Sequence, residues 1–573
     1  MDSSVAQCSA HCENDNETLP SSSTASNQAT NIPKSNTAPL KRKSADSKNV
    51  KTKKKKKARV SRSAQLGYTV QQGEDMLLVI SNASSLYDGA SVWMTKRKGS
   101  KKKKFSKGKS KTQQVRRKNT ARAKPTPDAN PVAAKTEEDT TAVLEKPADH
   151  TWGQSLPEEV LINIFQMVVT QDGAVPFLCR MARVCQLWNI AAASPILWRK
   201  VTVGHCWIAP GKKQLPKTEM KIQKTFDWLT QNRFSQLQDF SLHHWSKNVN
   251  YAVEVVSQSC PHLRSLTLSN CSGIKASAFQ ILGLNSRSLQ SINVQFSDFQ
   301  VEGLVAFLEN HGNQMKQIWF TNGLKNDRLL ASLTRGCCPD LEFLEVNKKL
   351  DSKDCVLTIC IQALQAACPK LKTFRLLNVR PIQKTKHKNA DLMKGFPLLE
   401  ELCIATTSYS YMTDNDLLDI LFSSTKLRVL DLRGCSRITP SGLANLPCLE
   451  LEFLFWGQYF NSHIGLSTPK KGLHMVTQKW KQTLQQLDIG NQLFSEEDLE
   501  MAMSYLTQAT ESDTLRSLNL QGTRITAPAL RSVIHHMTAL SYLNLSSCRH
   551  LPRGVKRIYC GQEDIRQLLG KLE

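Results

Sequence analysis

The side chains in this sequence that could do covalent or metal chemistry are cysteines and histidines, 17 and 13 of them in 573 residues. The cysteines are scattered without C-x-x-C pairs, which argues against a structural zinc site, and their odd number argues against a closed disulfide framework. Cys271, Cys435 and Cys548 end the same short pattern and read as small buried thiols stacked through a turn. His243-His244 and His535-His536 have no partners at ligand spacing. The sequence shows no phosphate-binding G-x-x-x-x-G-K-[ST] loop, no G-x-S-x-G, and no Cys/His pair with a third member. The expectation is a chain without catalytic residues, cofactor or metal, whose chemistry is recognition by apolar and aromatic surface.

Two groups of residues fit recognition. The first is compact. Leu156, Pro157, Glu159, Val160, Leu161, Ile164 and Phe165 are followed by Val184, Cys185 and Trp188, then by Pro195, Leu197 and Trp198. Ser155 with Glu158 fits a capping box, and Pro157 is tolerated in a first helical turn. Val160, Leu161, Ile164, Phe165 and Val168 then share one helical face, which ends at the Gln171-Asp172-Gly173 turn. A second helix is predicted from Pro176, aligning Phe177, Met181, Val184 and Trp188, until Pro195 breaks it. Residues 151–203 form a unit near the lower size limit for an independent core. So long an apolar face on so small a unit implies surface kept for a partner.

The second group is spread along a repeat. The pattern L-x-x-L-x-L begins at Leu237, Leu263, Leu289, Met315 and Leu341, each 26 residues after the last. It returns at Leu371, Leu399, Leu427, Leu451, Leu484, Leu515 and Leu540. One strand–helix repeat cannot bury its own apolar face, but stacked copies share a continuous core. The copy at Leu451 is weak, and the stretch Gly457 to Trp480 reads as the largest loop insertion. By period-two alternation Leu266 and Leu268 point inward, while Ser265, Thr267 and Ser269 point out of the sheet. The same alternation places Trp319, Phe343, Phe453, Phe455 and Tyr542 outward, a candidate substrate-binding surface. Asp239, Glu345, Glu401, Asp431 and Asp488 also face outward, against Arg375 and Arg433. The expected groove is mildly acidic, which disfavours nucleic acid as its ligand.

Net charge is +27, and its density sits at the N-terminal end: residues 1–150 hold 30 Lys and Arg against 14 Asp and Glu. Few large apolar side chains occur there, so this region is expected to be disordered. Within it, Met76 to Tyr87 is either a short binding segment or a transient apolar cluster. The basic runs include Lys41, Arg42 and Lys43, then Lys53, Lys54, Lys55, Lys56 and Lys57, then Lys96 to Lys111 and Arg116 to Lys118. Three readings stand open: a bipartite nuclear-import signal, contact with nucleic-acid phosphates, or a solvated tail. Phe105 stands nearly alone among these charges, so base stacking is not indicated. No signal-peptide pattern and no apolar run long enough to span a bilayer is present, so a nuclear or cytoplasmic protein with reduced thiols is expected, not a secreted or membrane one.

The order and spacing of the anchors in residues 151–203 resemble an F-box. Placed before leucine-rich repeats with Cys at the strand end, as in LRSLTLSNC, LRVLDLRGC and LSYLNLSSC, they resemble the F-box/leucine-rich-repeat family. The resemblance implies docking on Skp1, and through it on cullin-1 and a RING subunit of a ubiquitin ligase. It assigns the Skp1 contact to Leu156, Pro157, Ile164, Phe165, Val184 and Trp188, and gives Leu197 and Trp198 to the unit's own core. The sequence departs from the family pattern at Met167-Val168 and in the Gln171–Val175 turn. The expected fold is α/β: a leucine-rich-repeat solenoid, a horseshoe with parallel strands on its concave face, preceded by a small all-α F-box module and the disordered basic region. The divisions are 1–150 basic region, 151–203 F-box, 204–236 helical linker, 237–548 repeats and 549–573 C-terminal cap. The implied function is to hold an unknown protein substrate for ubiquitination. The rival reading is a nuclear scaffold that contacts nucleic acid through the basic arm.

Overall fold

The computed structural model describes residues 69–70, 78–79, 156–204, 216–323, 327–348, 356–383, 395–407, 410–458, 469–508 and 514–572. The basic runs, the Met76 to Tyr87 segment apart from its short strand Leu78–Val79, and the Ser155 half of the capping box lie outside these residues. Thr69–Val70 and Leu78–Val79 pair antiparallel.

The repeat builds one sheet of 14 strands, neighbours in space following neighbours in sequence. Its first six strands are β1 (Lys200–Val203), β2 (Asp239–His243), β3 (Ser265–Ser269), β4 (Ser291–Asn293), β5 (Gln317–Thr321) and β6 (Phe343–Asn347). Next come β7 (Thr373–Leu377), β8 (Glu401–Cys403), β9 (Val429–Asp431), β10 (Phe453–Phe455) and β11 (Gln486–Asp488). The last are β12 (Ser517–Asn519), β13 (Tyr542–Asn544) and β14 (Ile558–Cys560). All pairings in this sheet are parallel except β13 with β14.

Each strand from β2 to β13 begins two residues after a first Leu or Met of the pattern, the weak Leu451 copy included. Those first residues are all buried. Fully burying such a side chain is worth roughly 1.5–3 kcal/mol relative to exposure, so the stack is held by its own periodicity. A left-handed residue follows several strands, as at His244, Asn270 and Phe296, 26 residues apart, and at Asn378, Asn491 and Ser547. It turns the chain out of the sheet toward the helical side. Gly434 takes the same place with φ 87, and a Cβ there would lie 2.0 Å from the Thr406 carbonyl oxygen.

Three features differ from the sequence reading. The stretch 457–480 is not simply an insertion, because Leu473–Trp480 is the repeat's own helix. Trp480 is buried there and its indole N–H donates to the Cys448 carbonyl at 3.0 Å. The long step between Leu341 and Leu371 holds an extra strand, Val356–Ile359, paired parallel with Arg380–Gln383. The C-terminal end turns back as the antiparallel β14 before the helix Gln562–Arg566, so strand and helix together cover the last repeat. Among the described residues no helix is long and apolar enough to cross a membrane.

Candidate protein-docking surfaces

The helical unit is built from α1 (Glu158–Asp172), α2 (Phe177–Met181) and α3 (Gln186–Ala193). Glu158 and Glu159 in the first turn of α1 complement its N-terminal partial charge. Gly173 closes it at φ 85. The single second helix expected from Pro176 is two helices, because Cys185 is extended at φ −157 and starts α3 afresh.

Leu161 and Phe165 lie one turn apart on the inward stripe of α1. The Phe165 ring meets Phe177 at 5.6 Å and Trp188 at 5.4 Å, both edge to face. Phe165 is only 2% exposed, so it is a core residue here rather than a contact for a partner. Leu156, Ile164 and Trp188 are half-buried, while Pro157 and Val184 are exposed. The apolar side chains most open to water are Met167 at 61% and Val184 at 57%, with Val160, Ile190 and Ile196 also exposed. Val160, Ile164 and Met167 share one face of α1 by their spacing of four and three. Sequence reasoning missed Val160, Met167 and Ile190 as surface. The helical period separates Val160 and Met167 from Leu161 and Phe165, but which side turns inward follows only from the contact of Phe165 with Trp188.

This unit passes into the sheet without a break. The 3₁₀ turn Pro195–Trp198 is followed at once by β1. Trp198 donates its indole N–H to the Ala192 carbonyl at 2.8 Å and packs its ring 6.0 Å from Phe234. Val201 pairs with Phe240 across β1 and β2, and the Arg199 carbonyl accepts from the amides of Gln238 and Asp239 at 2.8 and 2.9 Å. The helix α4 (Pro216–Asn232), with Phe226 and Leu229 buried, lies alongside. β1 thus joins the helical unit to the sheet.

On the outward face of the sheet two environments exist. From β2 to β5 the outward side chains Ser241, Thr267, Asn293 and Trp319 are half-buried and reach solvent. Trp319 and Phe343, on adjacent strands, stack at 4.5 Å with 36° between planes. The Arg375 guanidinium lies 5.2 Å over Phe343. Beyond Phe343 most of the face is covered, with Thr373, Gln486 and Asn519 half-buried among buried neighbours. Phe453, Phe455 and Tyr542 project from the outward side yet are 2%, 6% and 8% exposed. The expectation of water-facing aromatics fails for these three: Phe453 and Phe455 form a small apolar cluster with Val429, apart from the main core, and Arg433 covers Phe455 at 5.3 Å.

The outward acids are likewise not an open acidic lining. Glu345, Glu401, Asp431 and Asp488 are buried. Arg375 holds Glu401 in a bidentate pair, Nε to Oε1 at 2.6 Å and Nη2 to Oε2 at 3.1 Å, and reaches Glu345 Oε2 at 3.5 Å. Arg433 Nη2 donates to Asp431 Oδ2 at 2.7 Å. Burial pushes the carboxyl groups of Glu345 and Asp488 above the usual carboxylate range, opposed by Arg375 and Arg433 respectively. Asp239, half-buried on β2, is raised by desolvation as well.

The three pattern cysteines stitch repeat to repeat. Their thiols donate to carbonyls in the preceding repeat: Cys271 to Leu242 at 3.5 Å, Cys435 to Ile404 at 3.2 Å and Cys548 to Leu520 at 3.0 Å. Burial pushes Cys271 up to about 11 and Cys435 up to about 12, so both are inert thiols. Among the described residues no group of three or more His, Cys, Asp or Glu converges as a metal site.

With this geometry in hand, comparison with known proteins is direct. Residues 154–203 match the F-box-like family model, and residues 423–446 match a leucine-rich-repeat model. An F-box-like unit thus precedes leucine-rich repeats. Over 283 residues the chain is 23% identical to F-box/LRR-repeat protein 4 of Bos taurus, covering 46% of this chain and 39% of that protein's own length. Among solved structures it is similar to a chain of the yeast Rad7 and Elc1 complex, at 16% identity and a TM-score of 0.39, covering 72% of this chain and 85% of the other. It is also similar to the leucine-rich-repeat protein LegL7 of Legionella pneumophila, at 12% identity and a TM-score of 0.30, covering 58% and 97%.

Proposed function

We propose that this chain is the substrate-recognition subunit of an SCF ubiquitin ligase, docking on Skp1 through its F-box-like unit and on target proteins through its leucine-rich-repeat sheet. The observation that carries the reading is the direct continuation of an F-box-like unit, with apolar side chains left in water, into the recognition sheet through β1. A rigid join suits an adaptor. The target is held at a fixed offset from Skp1, cullin-1 and the RING subunit, and tethering raises the effective concentration of its lysines near the ubiquitin-charged enzyme. No residue of this chain has to do covalent chemistry, and degradation of the ubiquitinated target follows in the proteasome.

The target surface is the open half of the sheet, with the stacked Trp319 and Phe343 as its anchor. The covered half is scaffold. Within the family, the string from Asp172 to Trp188 and the basic N-terminal quarter resemble F-box/LRR-repeat protein six. The basic runs at Lys41–Lys43 and Lys53–Lys57 act as a nuclear-import signal. Co-expression of the full chain with Skp1 tests the core of the reading: a stable one-to-one complex is expected, and failure to co-purify rejects it.

A further inference from the structure

The helix Asp327–Thr334 gives way, through Gly336 at φ 90, to two consecutive cysteines just before β6. Cys337 is half-buried and Cys338 is buried. Their sulfurs lie 3.6 Å apart. Gly312 makes the room, since a Cβ there would come within 2.9 Å of the Cys338 sulfur.

The repeat explains only one of the two thiols. Cys260, Cys338 and Cys368 stand at one position, each followed by Pro and each three residues before the first Leu of its strand pattern. Their carbonyls accept from the amides of Leu263, Leu341 and Leu371 at 3.2, 3.3 and 3.3 Å. At the place of Cys337 the repeats of Cys260 and Cys368 carry Ser259 and Ala367. The repeat does not require sulfur there, since Ala367 packs against the core at the same place as Cys337.

We propose that Cys337 and Cys338 form a vicinal-dithiol site that chelates a trivalent arsenical, one arsenic atom bonded to both sulfurs. The reaction is condensation without oxidation: two S–H bonds of the chain break, two As–S bonds form, and the oxo oxygen of the arsenical leaves as water. A disulfide is a poor competitor. Consecutive α-carbons are about 3.8 Å apart, whereas unstrained disulfides need about 4.4–6.8 Å, so a disulfide between them is strained and readily reduced. Zinc is a poor competitor too, because a structural site takes four ligands and no group of three or more converges among the described residues.

Cys337 attacks first. It is the half-buried thiol of the two, whereas Cys338 is buried, and the two sulfurs share one hydrogen bond at 3.6 Å. Cys338, already in contact, then closes the ring.

The test uses the full chain with phenylarsine oxide, a monothiol wash and intact mass spectrometry. Cys337→Ser and Cys338→Ala are each expected to carry one arsenical fewer than the unaltered chain, and 2,3-dimercaptopropanol should strip that one from the unaltered protein. A Cys337→Ser chain that keeps the full count overturns the proposal, as does an unaltered chain that keeps none after the wash. Should Cys338→Ala fail to fold, the half-buried Cys337→Ser decides alone.

Discussion

Phe165 and Trp188 meet edge to face with ring centroids 5.4 Å apart, and this contact ties α1 to α3. The F-box-like unit is therefore held together by the same aromatic side chains that, in sequence, look like a contact surface. Substituting Phe165→Ala is expected to destabilise the unit by roughly 3–5 kcal/mol, as for other large-to-small core changes. Denaturant unfolding followed by tryptophan fluorescence measures it. A loss under about 1 kcal/mol means the ring is not in the core.

The second prediction concerns the covered half of the sheet. Arg375 bridges Glu345 and Glu401 across β6, β7 and β8. Arg375→Met leaves two buried acids without their cation and is expected to cost about 3–5 kcal/mol. Adding Glu345→Gln and Glu401→Gln to the same chain should recover part of that loss. Urea midpoints of the single and triple variants check both statements.

The third prediction is a pH dependence. Lys470 donates to the Ile438 carbonyl at 2.7 Å and lies 4.4 Å over the Trp456 ring, with Asp414 and Cys435 acting on it electrostatically. Burial pulls its ammonium down to about 7, only partly offset by Asp414. The unfolded chain keeps the proton to about pH 10.4. Between these values the unfolded state binds more protons, so the Lys470 contribution to stability rises with pH. Below the folded value the whole cost of a buried ammonium is present. A Lys470→Met chain should therefore lose this rise. Its stability relative to the unaltered chain is greatest near about pH 6 and falls by about 1–4 kcal/mol toward about pH 10. Parallel offsets at all pH values contradict the assignment.

The fourth prediction separates the two surfaces. Trp319→Ala with Phe343→Ala removes the stacked pair from the open half of the sheet. Capture of target proteins, read by quantitative pull-down, should fall at least tenfold, the equivalent of about 1.4 kcal/mol. Recovery of Skp1 should not change. Phe453→Leu in the covered half should leave both unchanged, because its ring is buried.

Much of this fold was legible because a solenoid states its period openly. The spacing of Leu237, Leu263, Leu289, Met315 and Leu341 places strands that the structure has, and even the irregular copy at Leu451 pairs in register, Leu454 beside Leu487. Alternation also put Trp319 and Phe343 on the outward face. What alternation cannot give is whether an outward side chain reaches water. Phe455 points away from the core yet is covered by Arg433, a neighbour two residues beyond the adjacent strand β9. Likewise a helical stripe shows that Phe165 and Val160 differ in direction only once one side is known to face Trp188. The Glu345–Arg375–Glu401 bridge joins residues 56 positions apart, and its geometry follows only from strand register.

The most direct test of the central claim replaces exposed apolar side chains of the F-box-like unit without touching its core. Met167→Glu with Val184→Glu puts two charges on surface that is already in water, so the unit should keep its folding midpoint. Recovery of Skp1 with the full chain is then predicted to fall to background. Undiminished recovery of Skp1 by this folded variant contradicts the account.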